Sequence, residues 1–219
     1  DAIVEADWCL GELKSILESE GIIENTLIIF SSDNGPVLND GYYDDSDVKN
    51  GEHRPSGPFR GGKYSLFEAG TRVPFFTYWK GKIKPGVSDS MVSQLDLLSS
   101  LAQLVGSEVR TADSLPLLEL LMGQSDDGRD EMVIEATSRT AFKRGDWVMI
   151  PPYEGPAVND KVKIELGNDS DFQLYNLTED IEQQNNLAAQ KPDKLQEMLT
   201  AFEAIRGNDY GKIEKLELK

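Results

Sequence analysis

The segment that most constrains the fold is a short, continuously apolar run, NTLIIFSS, at residues 25–32. Its length and its polar borders are typical of a parallel strand that is buried on both faces. RVPFFTYW at residues 72–79 predicts a second strand, with Pro74 near its start, where a missing backbone N–H matters least. Strands of this kind, set among helical patterns, predict an α/β fold.

Helical periodicity is clear at the N-terminus, where DAIVEADWCLGELKSILESEG predicts a helix that ends at Gly21. QLDLLSSLAQLVG at 94–106 predicts an amphipathic helix, and LPLLELLMG at 115–123 a short helix with proline in its first turn. Because an α/β protein normally places a strand before its first helix, we interpret the chain as a fragment of a longer protein. The apolar face of the first helix would carry Ile3, Ala6, Leu10, Leu13 and Leu17, with Ile16 beside it.

A polar, charged segment, QSDDGRDE at 124–131, divides the chain. We expect residues 1–125 to be part of one domain and residues 126–219 to form a second, smaller one. The second region contains short strand-like runs separated by turn signals, namely MVIEAT, TAFKRG, WVMI, KVKIEL and FQLYNL, which predict an antiparallel sheet. KPDKLQEMLTAFEAIRG at 191–207 predicts a C-terminal helix. Its apolar face would carry Leu195, Met198, Leu199, Phe202 and Ile205.

Charge and composition exclude several classes of partner. The chain of 219 residues has a net charge of −17 and a pI of about 4.4, so it repels nucleic acid and anionic lipid. No apolar run approaches the ~18 residues of a membrane-spanning helix. Cys9 is the single cysteine, so no intramolecular disulfide can form, and its position within the first helix predicts a small core residue.

Polar residues that can bind a ligand follow the first apolar strand. In an open α/β sheet, ligands bind beyond the carboxyl ends of the strands. Asp33 and Asn34 lie there and offer oxygen atoms, which suit Ca²⁺ or Mg²⁺. The irregular stretch from Gly35 to Gly62 is long enough to indicate a functional loop. An Asx-turn at the strand end is the alternative interpretation of the two polar residues.

Two basic residues of this loop are further candidates. Lys63 comes directly after two glycines, where the backbone can approach a ligand closely and the ammonium group can bind an anion. His53, the only histidine, lies in the same loop and is a candidate for substrate contact. A solvated position without function is the alternative for both.

Other charged residues near the loop are interpreted as structural. We expect structural roles for Arg60 and Arg72, and Arg72 lies four residues after Glu68, with which it can pair. Three acids in YYDDSD resemble a calcium-binding cluster, although such a group more often forms a solvated face. These acids are Asp44, Asp45 and Asp47.

Taken in order, SSDNGP, GPFRGGKYSLFEAGTRVPFFTYWKGKIKPG and SQLDLLSSLAQLVG resemble the C-terminal half of type I sulfatases, the formylglycine-dependent enzymes of the alkaline phosphatase superfamily. TAFKRGDWVMI and FQLYNLTEDIEQQNNLA are similar to the small C-terminal subdomain of the same family. The resemblance implies the C-terminal part of an alkaline-phosphatase-like α/β/α sandwich, followed by a small α+β subdomain. It also implies hydrolysis of sulfate esters, and a periplasmic or extracellular location.

The resemblance assigns roles to individual residues. It implies that Asp33 and Asn34 are calcium ligands and that Lys63 is a catalytic residue that contacts the sulfate group. The family nucleophile is a formylglycine made from a C/S-x-P-S/A-x-R signature, which this sequence does not contain; Cys9, in DWCLGEL, lacks the required proline and arginine. We therefore expect the nucleophile and the remaining metal ligands upstream of this chain, and no activity from the chain alone.

Two other functions stay open at this point. A phosphatase or phosphodiesterase of the same superfamily resembles this chain in fold but tends to place histidine beside the aspartate to hold zinc, whereas Asn34 favours calcium. Alternatively, the loop binds a sulfated ligand through Lys63 and His53 without any chemistry.

Overall fold

The computed structural model describes residues 2–109 and 111–207. The chain forms two compact units, of which the first consists of residues 1–31 and 74–129 and the second of residues 32–73 and 130–219. The loop with the candidate site residues therefore belongs to the same unit as the C-terminal part of the chain. The predicted domain division after residue 125 stays a prediction.

Helices and strands occur in both units. The helices are α1 (Ala2–Ser19), α2 (Ser46–Lys49), α3 (Asp96–Leu104), α4 (Leu118–Leu121) and α5 (Pro192–Arg206). The strands are β1 (Ile28–Ser31), β2 (Phe75–Tyr78), β3 (Glu131–Ala136), β4 (Arg139–Arg144), β5 (Trp147–Ile150), β6 (Val158–Asn159), β7 (Ile164–Glu165) and β8 (Gln173–Asn176). None of the described helices combines the length and the apolar character that crossing a membrane requires.

Helix α1 opens the first unit and ends as predicted. Gly21 has a left-handed φ of 70°, and the N–H of Ile22 donates to the carbonyl of Leu17, which closes the last turn. The prediction of a core cysteine was wrong, because no described residue of α1 is buried and Cys9 is exposed. Helical periodicity marks which residues share a face, but it does not show what packs on that face.

Strands β1 and β2 form the sheet of the first unit. They pair antiparallel, and the rings of Phe30 and Phe76 stack with 4.8 Å between centroids. Both strands were predicted, but β1 was expected to be parallel and buried on both faces, whereas all its residues are half-buried. Within the described residues β1 pairs with β2 alone. An unbroken apolar run indicates burial and carries no information on the direction of the partner strand.

Helices α3 and α4 complete the first unit, and both were predicted. The fully buried carboxylate of Asp96 in α3 binds the guanidinium of Arg129 through two hydrogen bonds of 2.6 and 2.7 Å. This pair ties the irregular segment at 124–130 to the helix. α4 begins two residues after Pro116, so the proline precedes the helix instead of lying in its first turn.

The second unit is built on a four-stranded antiparallel sheet in the order β3-β4-β5-β8, which confirms the predicted sheet. Of the strand-like runs, KVKIEL contributes only the short β7, which pairs with β6 outside the main sheet. Its alternating pattern predicted a strand correctly but did not specify a partner.

Alternate residues of the main sheet face two apolar clusters. Helix α5 covers one face, where its Met198 and Phe202 are fully buried. They pack against Phe142, Met149 and Leu174. The helix is confirmed, although Ile205 of its predicted apolar face is exposed, because it lies in the last turn beyond the sheet contacts.

The other cluster contains Leu66 and Phe67, which follow Lys63 in the chain and are almost completely buried. They belong to one core with Ile134, Ala141, Val148, Ile150 and Tyr175. The segment that carries Lys63 is therefore anchored in the core of the C-terminal sheet.

Candidate functional site

Two candidate segments, SDNGP at 32–36 and GGKYSLFEAG at 61–70, lie side by side in the second unit. The N–H of Gly35 donates to the carbonyl of Gly70 at 2.9 Å. The N–H of Lys63 donates to the carbonyl of Pro36 at 3.0 Å. Asp33 and Lys63, which are distant in the sequence, are thereby carried by neighbouring backbone segments.

Glycines make this close approach possible. A Cβ at Gly35 would lie 1.6 Å from the carbonyl oxygen of Ala69, and one at Gly62 would lie 2.5 Å from the carbonyl oxygen of Pro36. Real Cβ atoms do not approach backbone atoms so closely, so these contacts depend on the absence of a side chain at Gly35 and at Gly62. The glycines of both motifs therefore serve packing as well as turning.

The predicted metal ligands differ in exposure. Asp33 is exposed, whereas Asn34 is half-buried and its Nδ2 donates to the carbonyl of Gly35 at 2.9 Å. With the amide nitrogen bound in this way, Oδ1 of Asn34 is the atom that can ligate a cation. A carboxylate and an amide oxygen are the hard donors that suit Ca²⁺.

The described residues do not complete a metal centre by themselves. Within residues 2–109 and 111–207, no group of three or more His, Cys, Asp and Glu side chains converges to hold a metal ion. The acids of YYDDSD are not a calcium cluster: Asp44 and Asp47 accept from the nearby N–H groups of Ser46 and Val48, and Asp45 pairs with an exposed lysine. Asp33 and Asn34 supply two oxygen donors to a site that would need more.

Lys63 is half-buried, and its ammonium lies 5.4 Å from the centre of the Tyr64 ring. No acidic side chain in the described part of the chain lies within ion-pair distance of it, so its charge is available to an anion. Tyr64 has a φ of 78°, which is unusual for a bulky residue. The role of Lys63 on a sulfate group stays a prediction.

Arg60, directly before the segment at 61–70, connects it by hydrogen bonds to the C-terminal part of the second unit. Its guanidinium binds Glu165 through two hydrogen bonds of 2.7 and 2.8 Å and donates to the carbonyl of Gln183 at 2.7 Å. It also lies 4.0 Å from the centre of the Phe67 ring. The hydrogen bonds between the two groups lower the pKa of Glu165 and raise that of Arg60. This contact pattern supports the predicted structural role of Arg60.

Glu68, near the end of the segment at 61–70, connects it to Lys143 and Gln183 of the same unit. Its carboxylate, which is almost completely buried, pairs with Lys143 and with Arg72, the latter at 3.1 Å, so the predicted pairing with Arg72 is confirmed. The N–H of Glu68 donates to Oε1 of the fully buried Gln183 at 2.7 Å. The other amide atom of Gln183, Nε2, is buried without a partner among the described residues.

Sequence reasoning missed three residues of this network: Lys143, Glu165 and Gln183. No local signal could have found them, because the contacts join residues 75 to 123 positions apart. Together they hold Arg60 and Glu68, which lie on either side of Lys63 in the chain.

His53 lies apart from the two interlocked segments. It is exposed at the edge of an open groove of about 370 Å³ that also includes Arg54, Gly61 and Gln184. Neither Lys63 nor the predicted metal ligands line this groove. The lining residue nearest to Lys63 in the sequence is Gly61. The structure therefore brings Asp33, Asn34 and Lys63 onto adjoining segments and leaves His53 on a neighbouring surface.

The pair of Arg60 and Glu165 gives a pH-dependent prediction. We expect Glu165→Gln to lower the free energy of unfolding by about 1 kcal/mol at pH 7, because the side chain of Glu165 is 45% exposed and solvent screens the pair. The folded-state pKa of Glu165 is lowered from 4.5, so the contribution is present above pH 4.5 and is lost as the pH falls through the lowered value. Urea unfolding should show the full difference between wild type and variant at pH 7 and a smaller difference at pH 3. An equal loss at both values would contradict the ionic origin.

Known proteins resemble this chain over most of its length. A family model described as Sulfatase matches residues 1–107. N-acetylgalactosamine-6-O-sulfatase of Bacteroides thetaiotaomicron is 40% identical over 210 residues, which are 94% of this chain and 41% of the relative. Arylsulfatase A of Homo sapiens is 34% identical over 134 residues, which are 60% of this chain and 25% of the relative.

A solved structure from work on the metabolism of multiple glycosaminoglycans by Bacteroides thetaiotaomicron superimposes with a TM-score of 0.89 at 38% identity, covering 94% of this chain and 44% of that chain. The likeness confirms the predicted fold class, the alkaline-phosphatase-like fold of sulfatases. The chain spans less than half the length of these relatives. Family match, sequence identity and fold agree, and the chain belongs to the sulfatase family.

Proposed function

We propose that this chain is part of a longer sulfatase, here called the parent sulfatase, which hydrolyses sulfate esters. Asp33 and Asn34 would be calcium ligands and Lys63 would contact the sulfate group. The observation that supports this assignment is the interlock of the two segments, in which Lys63 donates its backbone N–H to Pro36 and Gly35 donates to Gly70. Two hard oxygen donors and an ammonium that pairs with no acid in the described part of the chain are thereby held on adjoining backbone.

The chemistry of sulfate ester hydrolysis suits these groups. Charge develops on the sulfuryl oxygens and on the leaving oxygen, and the ammonium of Lys63 offsets it without having to move. When bound, calcium would supply further positive charge at the same oxygens. The anchored backbone of residues 60–72 keeps the ammonium in place, which is the condition for an electrostatic contribution to the rate.

The nucleophile would come from elsewhere in the parent sulfatase. By family resemblance it is a formylglycine, and the corresponding C/S-x-P-S/A-x-R signature is absent from this sequence. Exposed Cys9, on helix α1, is not a substitute for it.

The substrate class we propose is a sulfated glycan. We propose a periplasmic or extracellular location for the parent sulfatase. The relative with 40% identity is named as an N-acetylgalactosamine-6-O-sulfatase. The groove beside Gly61 is polar and open, and His53, Arg54 and Gln184 offer donors and acceptors for sugar hydroxyl groups. His53 would thus contact the sugar and not the sulfate.

An assay of the parent sulfatase tests this function. We expect hydrolysis of a chromogenic aryl sulfate or of 6-O-sulfated N-acetylgalactosamine that is abolished by a chelator and restored by Ca²⁺. Asp33→Ala should lower activity steeply, with partial recovery in excess Ca²⁺, because the remaining ligands still bind the ion weakly.

The 219-residue chain serves as a control, and it should show no turnover, because it lacks the nucleophile signature. Turnover that follows this chain through purification would overturn the assignment of the nucleophile. A parent protein that binds sulfated sugars but never hydrolyses them would be a binding protein, and hydrolysis of phosphate esters alone would make it a phosphatase.

A further inference from the structure

Tyr64 has a backbone conformation that its side chain disfavours. Its φ of 78° lies in the left-handed region, which bulky residues with a Cβ rarely adopt. The other non-glycine residues with positive φ in the described chain are Asp, Thr, Ser, Lys and Gln, so Tyr64 is the aromatic exception. Strain of this kind persists only where the surrounding structure enforces it, and it is concentrated at functional sites.

The backbone on both sides of Tyr64 is held by hydrogen bonds. Before it, the N–H of Lys63 donates to Pro36 at 3.0 Å. After it, the N–H of Ser65 donates to Gly62 and that of Leu66 to Leu166, both at 3.0 Å. The bond from Ser65 to Gly62 closes a four-residue turn over residues 62–65, in which Tyr64 is the third residue. A turn with a positive φ at its third position typically has glycine there, and here that residue is a tyrosine.

The left-handed turn places the side chains of Lys63 and Tyr64 beside each other. The ammonium lies 5.4 Å from the ring centre, which is within the range of a cation–π contact. Tyr64 as a whole residue is 36% exposed, so part of its surface contacts the protein and part faces solvent. A neutral ring restricts the positions of the ammonium but does not cancel its charge, as a carboxylate would.

We propose that Tyr64 is a positioning residue that holds the Lys63 ammonium where it contacts the sulfate group. This inference rests on the proposed function of Lys63. The backbone of Tyr64 sets the direction of the lysine, and its ring limits the rotamers of the lysine side chain, so that the ammonium is already in position when negative charge develops in the transition state.

Three variants of the parent sulfatase separate the contribution of the ring from that of the backbone. Tyr64→Phe keeps the ring and should retain kcat within about twofold. Tyr64→Leu loses the ring and should lower kcat by about fivefold. Tyr64→Gly also frees the backbone and should lower kcat by about tenfold or more, with a smaller change in KM.

Thermal unfolding shows whether the role is merely structural. Tyr64→Gly should leave Tm within about 2 °C of wild type, because relief of the left-handed strain offsets the greater freedom of the unfolded chain. Tyr43→Leu is the matched control, since Tyr43 is fully exposed in the same loop, and neither its kcat nor its Tm should change.

The results that would overturn the inference are specific. Normal kcat in Tyr64→Leu, or a loss in Tyr64→Phe as large as in Tyr64→Leu, would exclude the positioning role of the ring. A fall in Tm that accounts for the lost activity would make Tyr64 structural. If Lys63→Ala is inactive while all Tyr64 variants are normal, this inference alone is wrong; if wild type hydrolyses no sulfate ester, the proposed function is wrong as well.

Discussion

Lys63→Ala in the parent sulfatase is expected to lower kcat/KM by roughly two to three orders of magnitude. That is the usual effect of removing one donor that stabilises developing negative charge. Tm should change little, because the anchoring bond of residue 63 to Pro36 comes from the backbone N–H, which alanine retains. Steady-state kinetics with an aryl sulfate and thermal unfolding of the same preparation measure both effects.

Lys161→Ala is the control for this prediction, because Lys161 is exposed and donates to Asn159 through its backbone N–H, which alanine retains. It should be indistinguishable from wild type. A Lys63→Ala protein that is unfolded, or one that retains near-normal activity, would show that Lys63 has a structural role or none. Either result would remove the main support for the proposed function.

Gly35→Ala should destabilise the second unit by about 3 kcal/mol or more. The added Cβ would lie 1.6 Å from the carbonyl oxygen of Ala69, a backbone atom that cannot rotate away as a side chain can. The hydrogen bond from Gly35 to Gly70 would stretch or break, and the two site segments would separate. Thermal unfolding of the 219-residue chain should show a Tm lower by about 6–12 °C.

Gly86→Ala is the matched control, since a Cβ there meets no atom within 4 Å and the residue has no left-handed φ. Its Tm should stay within about 2 °C of wild type. A Gly35→Ala variant that is as stable as this control would mean that the two segments are not interlocked as described. Their relation to a common site would then lose its structural basis.

Local patterns predicted the secondary structure because they depend on neighbouring residues. The end of α1 at Gly21 follows from a left-handed turn that glycine adopts without strain. The antiparallel sheet of the second unit follows from short alternating runs, and α5 follows from the spacing of Met198 and Phe202. The same patterns failed for Cys9 and for the direction of β1, because both depend on what lies across from the segment.

The sequence by itself determined the family, the element types and the candidate residues Asp33, Asn34 and Lys63, because motifs and periodicities are properties of short segments. Only the tertiary structure decided which segments meet. The hydrogen-bonded ion pair of Arg60 and Glu165 joins residues 105 positions apart in the sequence. The hydrogen bond from Glu68 to Gln183 joins residues 115 positions apart. Such contacts leave no mark on local spacing, because they arise when separate segments bury a common core. The strained backbone of Tyr64 has the same origin, since hydrogen bonds to Pro36 and Leu166 impose it against the preference of its own side chain.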